Sequence, residues 1–201
     1  MRKPPLPTAA GPTTADELAK VTVGGPPTRL TERIVIHDYD PAWPALYARE
    51  EARIRAALGA RALAVEHIGS TSVPGLPAKS VIDVDLIVAD SSDEDAYIPE
   101  LEAAGYVLRI REPDWYEHRC LVGDDPRVNL HVFSRDCDEH LRHIIFRDWL
   151  RDHPEDRDRY AAEKRRIAQQ NLTFMAEYAD QKTAVIVDVL RRAGLGSTPQ
   201  A

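Results

Sequence analysis

The chain has 201 residues, 43% of them hydrophobic, which allows one ordinary globular domain and little beyond it. No apolar run approaches the length of a membrane span, and no apolar stretch follows the basic start Met1-Arg2-Lys3, so a cytoplasmic protein with no membrane partner is expected. A formal net charge of −7 argues against a nucleic-acid partner, and two cysteines, Cys120 and Cys137, are too few for a disulfide framework or a closed cysteine zinc site.

Residues 1–30 hold six of the fifteen prolines, with Gly24-Gly25 and few large apolar side chains. Such a segment buries too little apolar surface to offset its ordering entropy, which predicts a flexible Pro-rich extension with a turn of helix at most over 15–20. The domain is expected over 31–195, with 196–201 as a disordered tail. Ile34-Val35-Ile36 is a short β-branched run, and Pro41 suits the first turn of a helix reaching Gly59. Residues 62–68 predict a strand, 69–79 a loop of small residues and prolines, and 80–88 a second strand. A helix over 93–104 stops at Gly105. Strands follow over 106–110, 116–122 and 128–133, the last two joined as a hairpin. Beyond Asp136 come three helices, marked by Leu141 to Leu150, by Pro154 to Ile167, and by Tyr178 to Leu190. Strands mixed with helices first, then helices alone, predict an α+β domain with a small mixed β-sheet flanked by helices and a helical C-terminal part.

Asp83-Val84-Asp85 is the chemical centre of the sequence. Alternation along a strand puts both carboxylates on one face, about 7 Å apart, where they repel each other unless a hard cation offsets them. Asp-x-Asp also occurs at 38/40, 93/95, 136/138 and 156/158, but there it lies in turns or solvated helices. At 83/85 it interrupts the apolar run Val81-Ile82 and Leu86-Ile87-Val88, and buried carboxylates need a cation or hydrogen-bond donors. Just before this strand, Gly69-Ser70-Thr71-Ser72 offers backbone amides and three hydroxyls without bulk, which suits the approach of a phosphate oxygen.

Gly69-Ser70, a spacer and Asp83-Val84-Asp85 resemble the signature of the nucleotidyltransferase (polymerase β-like) superfamily. The longer string from Glu66 through Asp85 is similar to the hallmark of the GrpB (UPF0157) family. Tyr39-Asp40-Pro41-Ala42-Trp43-Pro44, Asn129-Leu130-His131-Val132 and Phe146-Arg147-Asp148-Trp149 agree with it, and the resemblance covers residues 33–193. It implies a nucleotidyltransferase-like core, with Gly69 and Ser70 in the phosphate-facing loop. It also implies Asp83 and Asp85 as carboxylates for Mg2+ or Mn2+, and a nucleoside triphosphate with a small-molecule acceptor as partners. The superfamily's third carboxylate has no evident counterpart, because His131 stands nearest its position. Similar domains are fused to dephospho-CoA kinases, which the resemblance links to a nucleotide or coenzyme A context.

Around this centre, Thr71, Ser72, His67 and Lys79 are expected to contact substrate, and His131 to complete the catalytic site with Asp83 and Asp85. His67 equally suits a structural hydrogen bond, Lys79 a solvated loop, and His131 a structural strand position. Lys164-Arg165-Arg166 suggests a solvated helix face, Arg147 with Asp148 an ion pair, and Lys182 a side chain that reaches inward. Three functions fit. The first is a metal-dependent nucleotidyltransferase. The second is a non-catalytic nucleotide or small-molecule binding module of the same fold. The third is a pathway enzyme with different chemistry in the cleft, using His67 or His131 as acid or base.

Overall fold

Side chains of a strand alternate between faces, and in this chain the alternation separates apolar from ionisable residues. The structure, a computed structural model, describes residues 3–7 and 13–196. Strands β1 (Ala64–Ile68), β2 (Ile82–Val88), β3 (Val107–Glu112), β4 (His118–Asp124) and β5 (Arg127–Ser134) form one sheet in the order β1-β2-β5-β4-β3. β2 and β5 run parallel, and all other neighbours antiparallel. Ile82, Val84 and Leu86 of β2 and Val128, Leu130 and Val132 of β5 turn to one side. There they bury Trp43, Ile54 and Leu58 of α2 (Trp43–Leu58) and Leu101 of α3 (Ile98–Ala103) in the main core.

The opposite face carries Asp83, Asp85, Asn129 and His131, and the C-terminal helices α4 (Asp138–Asp152), α5 (Pro154–Ala168) and α6 (Met175–Arg192) cover it. These helices hold a smaller core of their own, Leu150, Tyr160, Ala161, Val185 and Val189, into which the loop after β1 inserts Val73 and Leu76. The loop is thereby anchored to the helices as well as to the sheet.

One helix differs in extent from the sequence expectation. The helix expected over 93–104 is a 3-10 turn, Glu94–Ala96, followed by the short α3. Pro99 is tolerated only in a first turn, and the buried Tyr97 hydroxyl ties the break by donating to Ser91 O at 2.6 Å. The β-branched run Ile34-Val35-Ile36 lies outside the five strands. Ile34 and Ile36 pack against Ile167, Ala168 and Tyr178, and the backbone pairs only through the isolated bridge between His37 and Ala78.

The amino-terminal segment corrects a further expectation, because its described residues are docked on the domain rather than free. α1 (Ala15–Val21) starts at a capping box of Thr14 and Glu17, Thr22 bridges to Ile110, and Val23 N–H donates to Arg109 O at 2.8 Å. Arg142 donates to Pro5 O at 2.8 Å, and Thr13 N–H donates to the Asp180 carboxylate at 2.7 Å. Composition leaves this segment without a core of its own, and hydrogen bonds to partners on β3, α4 and α6 supply what apolar burial does not. Residues 1–2 and 8–12 of the expected extension, and the expected tail beyond Gly196, lie outside the described residues. A chain lacking residues 1–30 is expected to lose at least about 1 kcal/mol, read as a Tm lower by roughly 2–4 °C in thermal denaturation. An unchanged Tm would show that these contacts stabilise nothing.

Candidate active site

Asp83 and Gly69 meet where the loop after β1 folds over the acidic strand. A Cβ on Gly69 would stand 2.4 Å from Asp83 Oδ2, and the glycine has φ 68° and ψ −174°, a region that only glycine uses. The loop therefore approaches the carboxylate as closely as backbone can. Asn129, the register partner of Asp83 on β5, donates to Asp83 Oδ1 at 2.8 Å. Asp83 is half-buried and keeps contact with solvent.

Asp85, two residues on, is fully buried. His140 and His143 of α4 are one helical turn apart, and both turn their Nδ1 atoms onto it. His140 donates to Oδ2 at 2.9 Å and His143 to the same oxygen at 3.0 Å. Glu139 lies 3.4 Å from His143 Nε2 and is itself paired with the buried Arg142. Although burial opposes it, the pair with Asp85 raises the His143 pKa well above that of a free imidazole. Asp85 in turn is held far below the usual carboxylate range, with burial again opposing and His143 leading the causes that lower it. An imidazolium thus compensates the buried acid.

His131 is the register partner of Asp85 and shares its face. Its Nδ1 lies 2.9 Å from His118 Nε2, whose other nitrogen lies 2.7 Å from Glu112 Oε2. Burial, then the neighbouring His118, pushes the His131 pKa down to about 4.

Three lysines lie within electrostatic reach of Asp83. Lys164 of α5 is buried, donates to Ser70 Oγ at 2.8 Å and to Pro77 O, and lies over the Tyr160 ring. Lys79 of the loop and Lys182 of α6 both lie over the Tyr178 ring, with Nζ 5.1 and 4.6 Å from its centroid. Burial, and next the charge of Lys182, lowers Lys164 to about 6 and Lys79 to about 8. Burial lowers Lys182 as well, and Asp83 is the acid that counters these shifts. Lys164 is therefore not on the solvated face that its charge run suggests, while Lys182 does reach inward.

The remaining expected contact residues stand elsewhere. Thr71 is buried; its hydroxyl accepts from His67 Nε2 at 3.0 Å and donates to Val81 O. His67 turns to the opposite face, stacked on Tyr47 of α2 with ring centroids 4.6 Å apart, and burial lowers its pKa to about 4. Ser72 Oγ donates to Gly69 O at 2.6 Å. These three groups shape the loop from within, so Ser70 is the hydroxyl of the series left at the cleft. Arg147 pairs with Asp148 as expected and also donates to Glu66 Oε2 at 2.9 Å, tying α4 to β1. His140, His143, His118 and Glu112 escaped the sequence reading. His140 and His143 carried a usable signal, since a three-residue spacing puts both on one helix face.

The carboxylates expected to hold a divalent cation are engaged by other side chains in this structure. Asp85 has its oxygens engaged by two imidazoles and Asp83 gives one oxygen to Asn129. Among the described residues, no three His, Cys, Asp or Glu side chains converge as a metal site.

An α+β domain with a five-stranded mixed sheet, helices on both faces and ionisable residues on one is compatible with a nucleotidyltransferase-like fold. The chain belongs to the GrpB family, whose model, GrpB protein, matches residues 33–192. A UPF0157 protein of Halalkalibacterium halodurans is 51% identical over 90% of this chain and 93% of its own. A dephospho-CoA kinase of Mycolicibacterium paratuberculosis is 31% identical over 77% of this chain but only 44% of its own length. The crystal structure of GrpB from Enterococcus faecalis superposes with a TM-score of 0.69 at 33% identity, covering 79% of this chain and 96% of that one. No helix among the described residues is long and apolar enough to cross a membrane.

Two outcomes follow from the geometry. Gly69→Ala forces a Cβ into Asp83 and a side chain into a glycine-only backbone region, at a cost of about 2 kcal/mol or more in urea denaturation; a neutral result would show that the loop can withdraw. His143→Gln is expected to cost about 2–3 kcal/mol near pH 6, because it leaves the Asp85 charge poorly compensated. The His143 contribution is fully present below about pH 6.5 and fades as pH rises through its raised folded value, whereas that of Asp85 is present above about pH 4 and fades as pH falls. The deficit of His143→Gln should therefore shrink in alkaline solution, and a deficit that stayed constant with pH would contradict an imidazolium at this position.

Proposed function

We propose that the cleft binds a nucleoside triphosphate and transfers its nucleotidyl group, or a related phosphoryl group, to a small-molecule acceptor. The observation that carries this reading is the convergence of Lys79, Lys164 and Lys182 with Ser70 opposite Asp83. Three amines whose charged forms burial and mutual repulsion disfavour gain stability when an anion of several charges settles among them. Polyphosphate meets that need, and charge-assisted hydrogen bonds from ammonium groups suit its oxygens. The glycine at 69 leaves room for the group next to Asp83, and the relatives named dephospho-CoA kinase support a nucleotide context.

Asp83 faces the phosphates and orients the attacking group or the lysines around it. Transfer is then mainly a matter of positioning and charge, which the lysines provide. The engagement of Asp85 by His140 and His143 favours a second reading, a module that binds nucleotide without turning it over.

Isothermal titration with ATP, without and with Mg2+ or Mn2+, tests the proposal. Binding is expected without added metal, and Lys182→Ala, at a half-exposed position, should weaken it by about tenfold or more. Absence of binding for ATP, GTP, CTP and UTP alike would overturn the reading. Tight Mg2+ binding lost in Asp85→Asn would show that the histidines surrender the carboxylate to a cation. Nucleotide binding with no transfer to any acceptor would select the binding module.

A further inference from the structure

Glu112 on β3, His118 on β4 and His131 on β5 form a hydrogen-bonded row across three strands, ending on the face that carries Asp85. We infer that this row locks His131 with its proton on Nδ1 and its Nε2 lone pair toward the cleft, making His131 the base that activates the acceptor; the inference rests on the transfer reading above. Here His131 is the catalytic residue, while His118 and Glu112 are positioning residues.

Proton bookkeeping gives the direction. A carboxylate only accepts, so His118 Nδ1 donates to Glu112. Taken as the neutral imidazole, His118 has its one proton on Nδ1, so its Nε2 accepts and His131 Nδ1 donates to it. The remaining nitrogen, His131 Nε2, is then unprotonated, and it has no hydrogen-bond partner among the described residues. The two ring nitrogens face nearly opposite ways. With Nδ1 turned to His118 on β4, Nε2 lies on the side of the ring away from that strand.

The row is held from the sides. His118 stacks on Phe133 at 4.9 Å between centroids and meets the Trp115 ring edge-on at 5.3 Å. Burial disfavours the charged form of His131, which leaves a lone pair on its ring. Glu112 stabilises the imidazolium as it forms, since the positive charge can be shared along the row.

The balanced step follows. The acceptor O–H, or N–H, gives its proton to His131 Nε2 as the acceptor atom bonds to the α-phosphorus. The bond from that phosphorus to the bridging oxygen breaks, and pyrophosphate leaves with the bonding pair toward the lysines. The proton on His131 then passes to solvent.

Long-range 1H–15N correlation spectra of the uniformly labelled full chain read ring protonation directly, with His131 assigned by its loss in His131→Asn. His131 is expected to show a protonated Nδ1 and an unprotonated Nε2. Glu112→Leu should release the row and move His131 toward the Nε2-protonated form that free imidazole favours. A proton on His131 Nε2 in the unaltered chain overturns the inference, as does a tautomer indifferent to Glu112→Leu in a folded variant. Neither readout involves nucleotide, so the inference fails separately from the transfer reading, which the ATP titration tests. In a transfer assay, Glu112→Gln should lower kcat about tenfold or more with KM unchanged, and Glu112→Asp should recover part of it. A change confined to KM would count against the inference.

Discussion

A fully buried carboxylate in the central strand is the constraint around which this molecule is arranged. Asp85 would be costly at full burial beneath α4 unless donors reached it, and His140 and His143 are the donors. Because both sit on one face of α4, meeting that need fixes the rotation of α4 over the sheet. Arg147, another turn along, reaches Glu66 and the backbone of His67 and fixes the far end. α4 in turn carries Arg142, which holds Pro5 and Tyr116. The polar face is thus closed by directed hydrogen bonds, whereas the apolar face is closed by the packing of Val84, Leu86, Leu130 and Val132.

Charge on the polar face is segregated in a way that suits a phosphate ester. Asp83 and Asp85 come from the sheet, and Lys79, Lys164 and Lys182 come from the loop and the helices. Asp83 stands beside Gly69, next to the Ser70 that Lys164 holds. A ligand bridging that boundary would touch amines with its phosphates and the carboxylate side with its reacting group. The lysine ends are confined by aromatic rings, Tyr160 for one and Tyr178 for two, so less side-chain entropy is left to lose on binding.

Membership of the GrpB family is consistent with this layout, since its model spans 33–192 and so includes the loop, the acidic strand and all three C-terminal helices. The docked amino-terminal segment lies before that span. It adds contacts to α4 and α6, the two helices that carry His140, His143 and Lys182.

The sequence by itself determined the strands, the long helices, the α+β class, the shared face of Asp83 and Asp85, and the family. These features are local: they follow from periodicity, proline and glycine placement, and a contiguous motif. Tertiary structure alone decided what the polar groups face. Thr71 and Ser72 look as available as Ser70 in sequence, but the 3-10 turn at 70–72 folds their hydroxyls into the loop. Lys164 reads as one of three solvated cations, and only the packing of α5 against the loop buries it beside Ser70. His118 and Glu112 gain meaning only through strand register, which pairs them with each other and sets His118 two residues from Cys120, the partner of His131 on the same face. Partner choice for a buried polar group depends on atoms distant in the chain, and no local pattern encodes it.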